Sequence, residues 1–588
     1  MGFSADKNVT KRGWNTLVEI DGASSLYLSD GESVTVSVNA ESQVWQAFPI
    51  DFNSTKEELT DAYMRGPRYG SAVVQITDDD DYTLRDWMEQ NHFGIGAAVR
   101  IWIAEQGSSN ADLFFSGRVR QPRDASYDDE KKRLMLRITD RRLFENVEVP
   151  RVEISEDDVG WEHAASEWKG RQLPLLYGDW SRSALNEPVI EAIPKDTGVR
   201  NEKPNAADMK FVICEPNQYG IAEIDTDVRV VFADRSKADL LLDVSNMDLA
   251  SAEFEVSTSE CGAKGYEYST GDKFYIFCKG NANSSGYLID NPLVVWKDLL
   301  TQYADPKVPV DDLYNYSFTF IQFQEPLARA YIKDKIDLMD LVDQLCFEFN
   351  LLWGVRPVCS SGSWEIKYWI SLYRPWVEAS QMFDLPDYKA RWGNLASEPE
   401  IKRNTEHTYC DRIRVKYKYN PRDDTYERAR TLSLSKTRYQ SLPVGESLTD
   451  KVIETQFIYR RFEAFCLVEL QLLLYATKPL IYEVKAWGWP LNVSDIYLGK
   501  QIKIDGDKLD DTVVGIIQML ERNPEDGSAK LRLFDASSTL FYYGRWTSND
   551  QDNWTASDLE DRAKWGFWTE NDGNCDPLGT DSPHSNWV

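Results

Sequence analysis

The stretch G-A-A-V-R-I-W at residues 96–102 opens a pattern of three short strands that decides how this chain folds. It is followed by F-F-S-G-R-V-R-Q-P-R at residues 114–123 and by K-R-L-M-L-R-I-T-D at residues 132–140. Apolar residues alternate in these segments, as they do in strands with one buried face. The second strand contains a glycine, and the third contains L-x-L and ends in Asp. The stretch therefore predicts a small β-rich module.

The same pattern returns near the other end of the chain. The three segments there are G-K-Q-I-K-I-D at residues 499–505, V-V-G-I-I-Q-M-L-E-R at residues 513–522 and A-K-L-R-L-F-D at residues 529–535. Duplicated β-modules that curl into barrels can build rings in which three chains supply six near-equivalent units. The repeat therefore predicts two barrel modules in one chain and a ring-forming assembly.

The composition is that of a globular protein with several domains. A length of 588 residues corresponds to about four domains, and 42% hydrophobic with 28% charged residues argues against disorder. The longest apolar candidate, residues 467–481, is interrupted by charged residues and a proline. The first residues, M-G-F-S-A-D-K-N, lack the apolar stretch of a signal peptide. We therefore expect folding in the cytoplasm and no stable membrane insertion.

The formal net charge of −30 argues against nucleic-acid binding as the purpose of the chain. Lys and Arg side chains that neutralise phosphates supply most of such affinity. The charge remains compatible with a surface past which DNA slides, because like charges prevent sticking.

The cysteines and histidines do not form a known metal or catalytic pattern. The eight cysteines lie far apart without a C-x-x-C pair, which predicts buried free thiols: Cys214, Cys261, Cys278, Cys346, Cys359, Cys410, Cys466 and Cys575. The four histidines have no H-E-x-x-H context: His92, His163, His407 and His584. A G-x-S-x-G elbow and a Walker-type loop are also missing from the sequence. We expect no enzyme activity, and we predict no catalytic residue, no cofactor and no metal ligand.

Two helices and a hairpin are predicted between the modules. Asp337 suits the N-cap of a helix whose apolar residues recur at helical spacing up to Asn350. The segments L-L-W-G-V-R-P-V and W-E-I-K-Y-W-I-S-L-Y flank a turn at residues 360–363 and predict a hairpin. A second helix is expected over residues 461–475. Its predicted apolar stripe consists of Phe462, Phe465, Cys466, Leu470, Leu473 and Leu474. Glu463 and Gln471 fall outside this stripe.

Two groups of like charges have structural interpretations. The acidic run at residues 78–81 precedes T-L-R-D-W-M-E-Q, which indicates a helix start where carboxylates favour the helix dipole rather than a metal site. The strand D-R-I-R-V-K-Y-K-Y-N places Arg412, Arg414, Lys416 and Lys418 on one face. A solvated or ion-paired sheet face is favoured there, and phosphate contact is the alternative.

These segments, in this order, resemble the tail hub proteins of tailed bacteriophages. The resemblance is carried by the first module with its continuation R-L-M-L-R-I-T-D-R-R-L-F-E-N-V-E-V-P at residues 133–150, by L-P-L-L-Y-G at residues 173–178, by residues 337–372 and by residues 411–535. It implies a homotrimer that forms a pseudo-sixfold ring, joins the tail tube to the tip or fibre, and provides a channel for DNA ejection. The implied partners are the tail tube or distal tail protein, the tape-measure protein, a tail fibre or tip protein, and DNA in transit. The implied location is the virion, after assembly in the host cytoplasm.

The expected fold is mainly β with α+β elements, made of two tube-like β-barrel modules, an inserted small domain and a helix-hairpin unit. The predicted domains are a first β-barrel hub module (1–180), an inserted small β or α+β domain (181–300), a helix-hairpin linking domain (301–400), a second β-barrel hub module (401–540) and a Trp/Asp-rich extension (541–588). Three chains would carry 3 × −30 = −90 charges, and we expect acidic side chains of the modules to line the channel.

The C-terminal extension contains the pattern G-x-W-T-x-N-D twice, 22 residues apart. Its candidate partner-docking or glycan-binding residues are Trp546, Trp554, Trp565, Trp568, Trp587, Asp550 and Asp572. The indole rings could dock on a neighbouring tail subunit, pack on each other, or bind a glycan or calcium with nearby carboxylates. Docking of a tail fibre or tip protein is the favoured interpretation.

A different class of function remains open from the sequence alone. A glycosidase needs two carboxylates whose separation is set in space, and the sequence contains 96 acidic residues. The alternative is therefore a glycoside hydrolase or lectin-like protein that acts on a bacterial surface polysaccharide.

Overall fold

The computed structural model describes residues 14–22, 24–39, 41–59, 67–91, 94–105, 107–140, 147–155, 161–164, 166–304, 309–310, 326–360, 363–372, 383–385, 400–403, 410, 412–433, 450–476, 480–487, 496–499, 501–504, 513–523, 528–535, 545–546 and 565–566.

The first part of the chain is built almost entirely of strands. They are β1 (Trp14–Ile20), β2 (Leu26–Asp30), β3 (Val34–Val38), β4 (Glu41–Phe48), β5 (Ile50–Leu59), β6 (Pro67–Thr77), β7 (Ala98–Glu105), β8 (Asp112–Arg118), β9 (Ala125–Asp128), β10 (Arg133–Asp140) and β11 (Glu148–Val149). Helix α1 (Thr83–Gln90) lies between β6 and β7, and a short 3-10 helix (Pro122–Asp124) lies between β8 and β9.

The middle part adds a second group of strands and two helices. They are β12 (Leu175–Tyr177), β13 (Asp179–Trp180), β14 (Ile190–Asp196), β15 (Met209–Val212), β16 (Ile221–Val231), β17 (Leu240–Asp243), β18 (Ser245–Asp248), β19 (Glu253–Val256), α2 (Thr258–Lys264), β20 (Lys273–Asn281) and α3 (Pro292–Tyr303).

The last part contains two further helices and the second copy of the repeat. Its elements are β21 (Ala330–Ile332), β22 (Ile336–Asp337), α4 (Leu338–Glu348), β23 (Leu351–Ser360), β24 (Ser363–Leu372), β25 (Phe383–Leu385), β26 (Glu400–Arg403), β27 (Arg412–Asn420), β28 (Thr425–Ser433), β29 (Asp450–Glu454), α5 (Arg461–Ala476), β30 (Leu480–Trp487), β31 (Gln501–Ile504), β32 (Val513–Asn523), β33 (Ser528–Asp535), β34 (Arg545–Trp546) and β35 (Trp565–Gly566).

Both copies of the repeat lie in one sheet of 16 strands. Its main order is β26-β30-β33-β32-β5-β6-β10-β8-β7-β1-β2-β4-β3, with β25, β31 and β9 paired beside this path. The expected mainly β fold is confirmed, since strands far outnumber helices and the three predicted segments of each copy are strands.

The segment predicted as an inserted domain contains the strands β15, β16 and β20. They belong to a separate sheet of eight strands with the order β17-β16-β20-β14-β15-β19-β18, and β13 pairs with β20 beside it. This sheet has a core of its own, in which Phe211 stacks on Phe254 with ring centroids 4.9 Å apart. Aromatic packing of this kind stabilises the sheet beyond the burial of area alone.

Local sequence signals account for the helix starts. The side chain of Asp337 accepts a hydrogen bond from the N–H of Met339 (2.8 Å), which confirms it as the N-cap of α4. The acidic run does mark a helix start, because Asp78 accepts from the N–H of Leu84 (2.9 Å) and Asp79 from that of Thr83 (2.9 Å). The hairpin after α4 is β23 paired with β24, as predicted.

The predicted stripe of α5 does not mark a single buried face. Of its members, Cys466 and Leu470 are buried but Phe462 and Phe465 are only half-buried, while Glu463 and Gln471, which were placed outside it, are buried as well. The side chains of Leu473 and Leu474 lie outside the described ones. The face that contributes to the largest core cluster consists of Ala464, Leu467, Val468 and Leu472. The helix is apolar over most of its circumference and has protein on several sides, so periodicity alone could not show which face meets the core.

The helices α3, α4 and α5 share one core with β27, and this core is distinct from the clusters under the two modules. Strand β27 pairs with β28 and β29 in a sheet of three strands rather than with β30. Helix α5 therefore connects two different sheets.

The prediction of buried free thiols is confirmed for the seven cysteines within the described ranges, six of which are buried while Cys359 is half-buried. Cys575 lies outside the described residues. Among the helices that the structure describes, none has the length and apolar character to cross a membrane.

Candidate assembly interface

The two repeat copies have the same backbone register. Gly117 of β8 lies opposite Asp140 at the end of β10. Gly515 of β32 lies opposite Asp535 at the end of β33. The glycine and the Asp that the sequence pattern singled out are therefore structurally equivalent in both copies.

The glycine of the second strand is needed because the third strand passes close to it. A Cβ on Gly117 would lie 2.0 Å from the carbonyl oxygen of Thr139. A Cβ on Gly515 would lie 2.6 Å from the Cβ of Leu533. Separations this short are not tolerated between non-bonded atoms, so any side chain would push the strands apart.

The opening glycine of each copy is held in the same way. Gly96 has φ +80° and donates its N–H to the carbonyl of Val119 (2.8 Å). Gly499 has φ +81° and donates its N–H to the carbonyl of Ile517 (2.8 Å). Positive φ favours glycine, so the pattern records one local geometry that is used twice.

The two modules are joined within the chain by β5 and β32. These strands are antiparallel, with Lys56 opposite Glu521 and Thr55 opposite Arg522. Opposite charges that face each other across antiparallel strands are stabilising. One sheet therefore passes from the first module into the second, as adjacent units of a ring would require.

A buried arginine fixes this joint. The side chain of Arg522 is 2% exposed and donates to Glu57 Oε1 (2.9 Å) and to the carbonyl of Ile496 (2.5 Å). Burial lowers the pKa of Arg522, and the neighbouring Glu57 carboxylate raises it. Ser54 adds a hydroxyl donated to Glu521 Oε1 (3.3 Å). A buried guanidinium that loses its ion-pair and hydrogen-bond partners is strongly destabilising. These contacts therefore hold β5 and β32 in one register.

The hairpin β23–β24 touches both modules at the joint. The N–H of Trp364 donates to Asn39 Oδ1 of the first module (2.7 Å). On the other side, Trp369 and the guanidinium of Arg356 pack on Tyr497, with centroid distances of 4.8 and 4.7 Å. A small cavity lies where the three parts meet and is lined in part by Phe114, Phe115, Arg356, Trp369, Tyr497 and Arg522. The hairpin thus acts as a brace across the joint.

The solvent-facing side of the shared sheet is not acidic. Successive residues of a strand point to opposite faces, so the register assigns each side chain to a face. Between β26 and β8, with β9 included, the described charged residues on that face are seven cations and five anions, namely Lys56, Arg118, Arg133, Arg137, Lys485, Lys530 and Arg532 against Asp51, Asp128, Glu400, Glu483 and Glu521, of which Glu483 is buried.

A buried carboxylate joins α4 to the segment before α5. Glu348 is 1% exposed and accepts hydrogen bonds from the N–H groups of Gln456, Phe457 and Ile458 and from the side chain of Gln344. Burial raises the pKa of Glu348 to about 7, although these four donors lower it. The arrangement satisfies backbone N–H groups, which is a structural role.

The basic strand β27 has the structural explanation that was favoured. Lys416 forms an ion pair with Glu454 (2.7 Å) and Lys418 with Glu427 (2.6 Å). Arg412 and Arg414 are exposed, while Ile413, Val415 and Tyr417 are buried on the other face. The face is therefore partly neutralised by acidic neighbours.

Only two of the candidate residues in the C-terminal extension fall within the described ranges. Strands β34 and β35 are parallel and bring together the two copies of the repeated pattern, with Arg545 opposite Trp565 and Trp546 opposite Gly566. The other candidates, namely Trp554, Trp568, Trp587, Asp550 and Asp572, lie outside the described residues. Docking, self-packing and glycan or calcium binding remain predictions for this extension. Within the described ranges, no three His, Cys, Asp or Glu side chains are grouped so that they could hold a metal ion.

Arg522 and Glu57 were missed in the sequence. Arg522 ends the apolar segment V-V-G-I-I-Q-M-L-E-R, and a long cation at the end of such a run is an ordinary strand end. The difference becomes visible in the structure, where β32 extends further past its glycine than β8 does.

No protein-family model and no curated protein sequence matches the chain. Similar solved structures include the tail protein from Neisseria meningitidis MC58, with 8% identity, a TM-score of 0.38, and coverage of 89% of this chain and 96% of that one. The 43 kDa tail protein of prophage MuSo2 from Shewanella oneidensis has 7% identity, a TM-score of 0.34, and coverage of 89% and 98%. A chain in the virion of a native gene transfer agent particle has 10% identity, a TM-score of 0.34, and coverage of 65% and 88%. The similar structures named here are thus two tail proteins and one chain of a virion.

Proposed function

We propose that this protein is a structural hub of a phage tail tip or baseplate, in which three chains form a pseudo-sixfold ring. The observation that carries the proposal is the in-chain joint between β5 and β32, which places two equivalent modules side by side in one sheet. Two equivalent neighbours in one chain are what a ring of six units built from three chains requires. The role is structural rather than enzymatic.

The ring would join the tail tube or distal tail protein on one side to the tip or fibre on the other. A change from sixfold to threefold symmetry needs a component that shows six similar units to one neighbour and three identical chains to the other. Modules that are similar in backbone register and different in side chains meet both requirements. The tape-measure protein and DNA would occupy the channel in turn.

The C-terminal extension is proposed as the attachment point for a tail fibre or tip protein. Trp is a frequent anchor in protein interfaces because it combines a large apolar area with one hydrogen-bond donor. The pairing of β34 with β35 shows the two copies of the pattern in contact, so they would act as one unit.

The outer face of the shared sheet does not support the expectation of an acidic channel lining for these strands, because its described cations outnumber its anions. A channel lined by this face would attract the phosphates of DNA instead of repelling them. The acidic channel lining remains a prediction for the face that lines the channel.

Light scattering after size exclusion tests the proposed function. A mass near three times 67.6 kDa is expected for the purified chain. A monomer at every concentration would contradict the homotrimer, and polysaccharide degradation by that monomer would favour a glycoside hydrolase. A truncated chain that lacks residues 541–588 should keep the trimeric state and lose only the binding of the fibre or tip protein.

A further inference from the structure

We propose that neighbouring chains are joined by antiparallel pairing of β9 of one chain with β26 of the next, with Ser126 opposite Lys402. This inference rests on the proposed ring and names the two strand edges that close it. It follows from the register of the two modules and not from their similarity to other proteins.

The first step identifies the equivalent of β32 in the first module. The third strands are aligned by Asp140 and Asp535, which face the equivalent glycines. With that alignment, Met135 of β10 is equivalent to Lys530 of β33. Met135 lies opposite Ser126, and Lys530 lies opposite Glu521. Strand β9 is therefore the counterpart of the part of β32 that pairs with β5.

The second step identifies the equivalent of β5 in the second module. Thr139 and Phe534 are equivalent by the same alignment, and they lie opposite Ser71 and Ile481. Ser71 in turn lies opposite Lys56 of β5.

Ile481 lies opposite Lys402 of β26. Strand β26 is therefore the counterpart of β5, with Lys402 in the place of Lys56. Within one chain, Lys56 of β5 lies opposite Glu521 of β32. When each is replaced by its counterpart in the other module, Lys402 of one chain lies opposite Ser126 of the next chain.

Both edges are available within the part of the chain that the structure describes. Strand β26 ends the path of the large sheet, and β10 is the one strand that pairs with β9. Unpaired edges of this kind present N–H and C=O groups to any strand that fits. Covering them by a second copy of the chain would satisfy these groups and continue the sheet from one chain into the next.

The register also fixes which other residues would face each other across the contact. With Ser126 opposite Lys402, Arg403 lies opposite Ala125 and Glu400 lies opposite Asp128, whose carboxylate already has Lys131 Nζ at 3.3 Å. The pairing is therefore specified by backbone register and not by charge. This contact is heterologous, and it closes a ring when the rotation from chain to chain is one third of a turn.

Disulfide trapping between single-cysteine variants tests the pairing. Directly opposite residues in antiparallel strands bring their Cβ atoms within reach of a disulfide. Ser126→Cys and Lys402→Cys chains are co-expressed and oxidised, and a covalent dimer that contains one of each is expected on a non-reducing gel. The oxidised wild type shows any contribution from native thiols. The pair Ser71→Cys with Lys402→Cys is the matched control, because Ser71 lies inside the sheet and should give no dimer.

The in-chain pair Lys56→Cys with Glu521→Cys serves as the positive control and should close within one chain. The edge pairing is wrong, and the ring stands, if three results occur together. These results are a mass of three chains, a disulfide in the positive control, and no dimer from Ser126→Cys with Lys402→Cys. If the wild-type chain is a monomer, the proposed function fails, and the pairing fails with it. A trimer mass together with the dimer supports both.

Discussion

The joint between the modules contains one buried cation, Arg522, and its removal has a calculable effect. Replacing Arg522 by Met keeps most of the side-chain volume and removes the guanidinium that contacts Glu57 and the carbonyl of Ile496. Removing one partner of a buried ion pair costs about 3–5 kcal/mol, because the other partner is left without compensation. The side chain of Glu57 is 22% exposed and keeps some water, so we take the lower end, about 3 kcal/mol.

Hydrogen exchange of the backbone amides in β5 and β32 measures this effect where it occurs. A loss of about 3 kcal/mol in the free energy of opening raises exchange about 100-fold, since each 1.4 kcal/mol is about tenfold. Hydrogen exchange is preferred here because it reports on the opening of these two strands residue by residue. Adding Glu57→Gln to Arg522→Met removes the unpaired charge and should restore part of the protection.

Lys530→Met is the matched control on the same sheet. Its Nζ lies 3.6 Å from Glu483 and its side chain is 50% exposed, so the change should cost at most about 1 kcal/mol. Exchange in β5 and β32 that stays within threefold of the wild type after Arg522→Met would refute the reasoning.

Three further substitutions, one of them with a control, have expected outcomes. Gly515→Ala places a Cβ 2.6 Å from a side chain of β33 and should lower the free energy of unfolding by about 1–3 kcal/mol, whereas Gly262→Ala, with no atom within 4 Å of the added Cβ, should leave the melting temperature the same or higher. Because the pKa of Glu348 is raised from 4.5 to about 7, the folded state binds its proton more tightly than the unfolded state does, and the stability that this proton provides is lost as the pH rises from 4.5 to 7. From pH 4.5 to pH 8, the unfolding free energy of the wild type should therefore fall by about 3 kcal/mol relative to that of Glu348→Gln, which has no carboxyl proton to lose. Denaturation of both proteins at each pH measures this change, and a difference that does not vary with pH would contradict the burial argument. Tyr177→Phe removes the hydroxyl that donates to the buried Asp298 (2.8 Å) and should cost about 1–3 kcal/mol in thermal unfolding; an unchanged melting temperature would show that the bond contributes little.

The parts of the fold that depend on neighbouring residues could be predicted from the sequence. The N-cap at Asp337, the hairpin turn after Ser360 and the glycines of the repeat are local features, and each has one dominant physical cause. The helix α3 belongs to the same class and was missed, although Asn291 caps it and Pro292 begins it.

The parts that depend on distant residues could not be predicted. The pairing of Thr55 with Arg522 joins residues far apart in the chain, and alternation in each strand says only that one face is buried. The burial of Glu463 and Gln471 in α5 is of the same kind, because a helix surrounded by protein has no single apolar stripe. The equivalence of the modules was visible in the sequence, whereas the strand edges that join them were not.

Class averages of the purified particle by electron microscopy test the central claim most directly, namely that the two modules of each chain are successive units of one ring. The account predicts a ring with a central hole and six lobes of nearly equal size, which becomes threefold at higher resolution as the differences between the modules appear. A ring with three lobes, or two modules of one chain stacked along the axis instead of side by side, would contradict it.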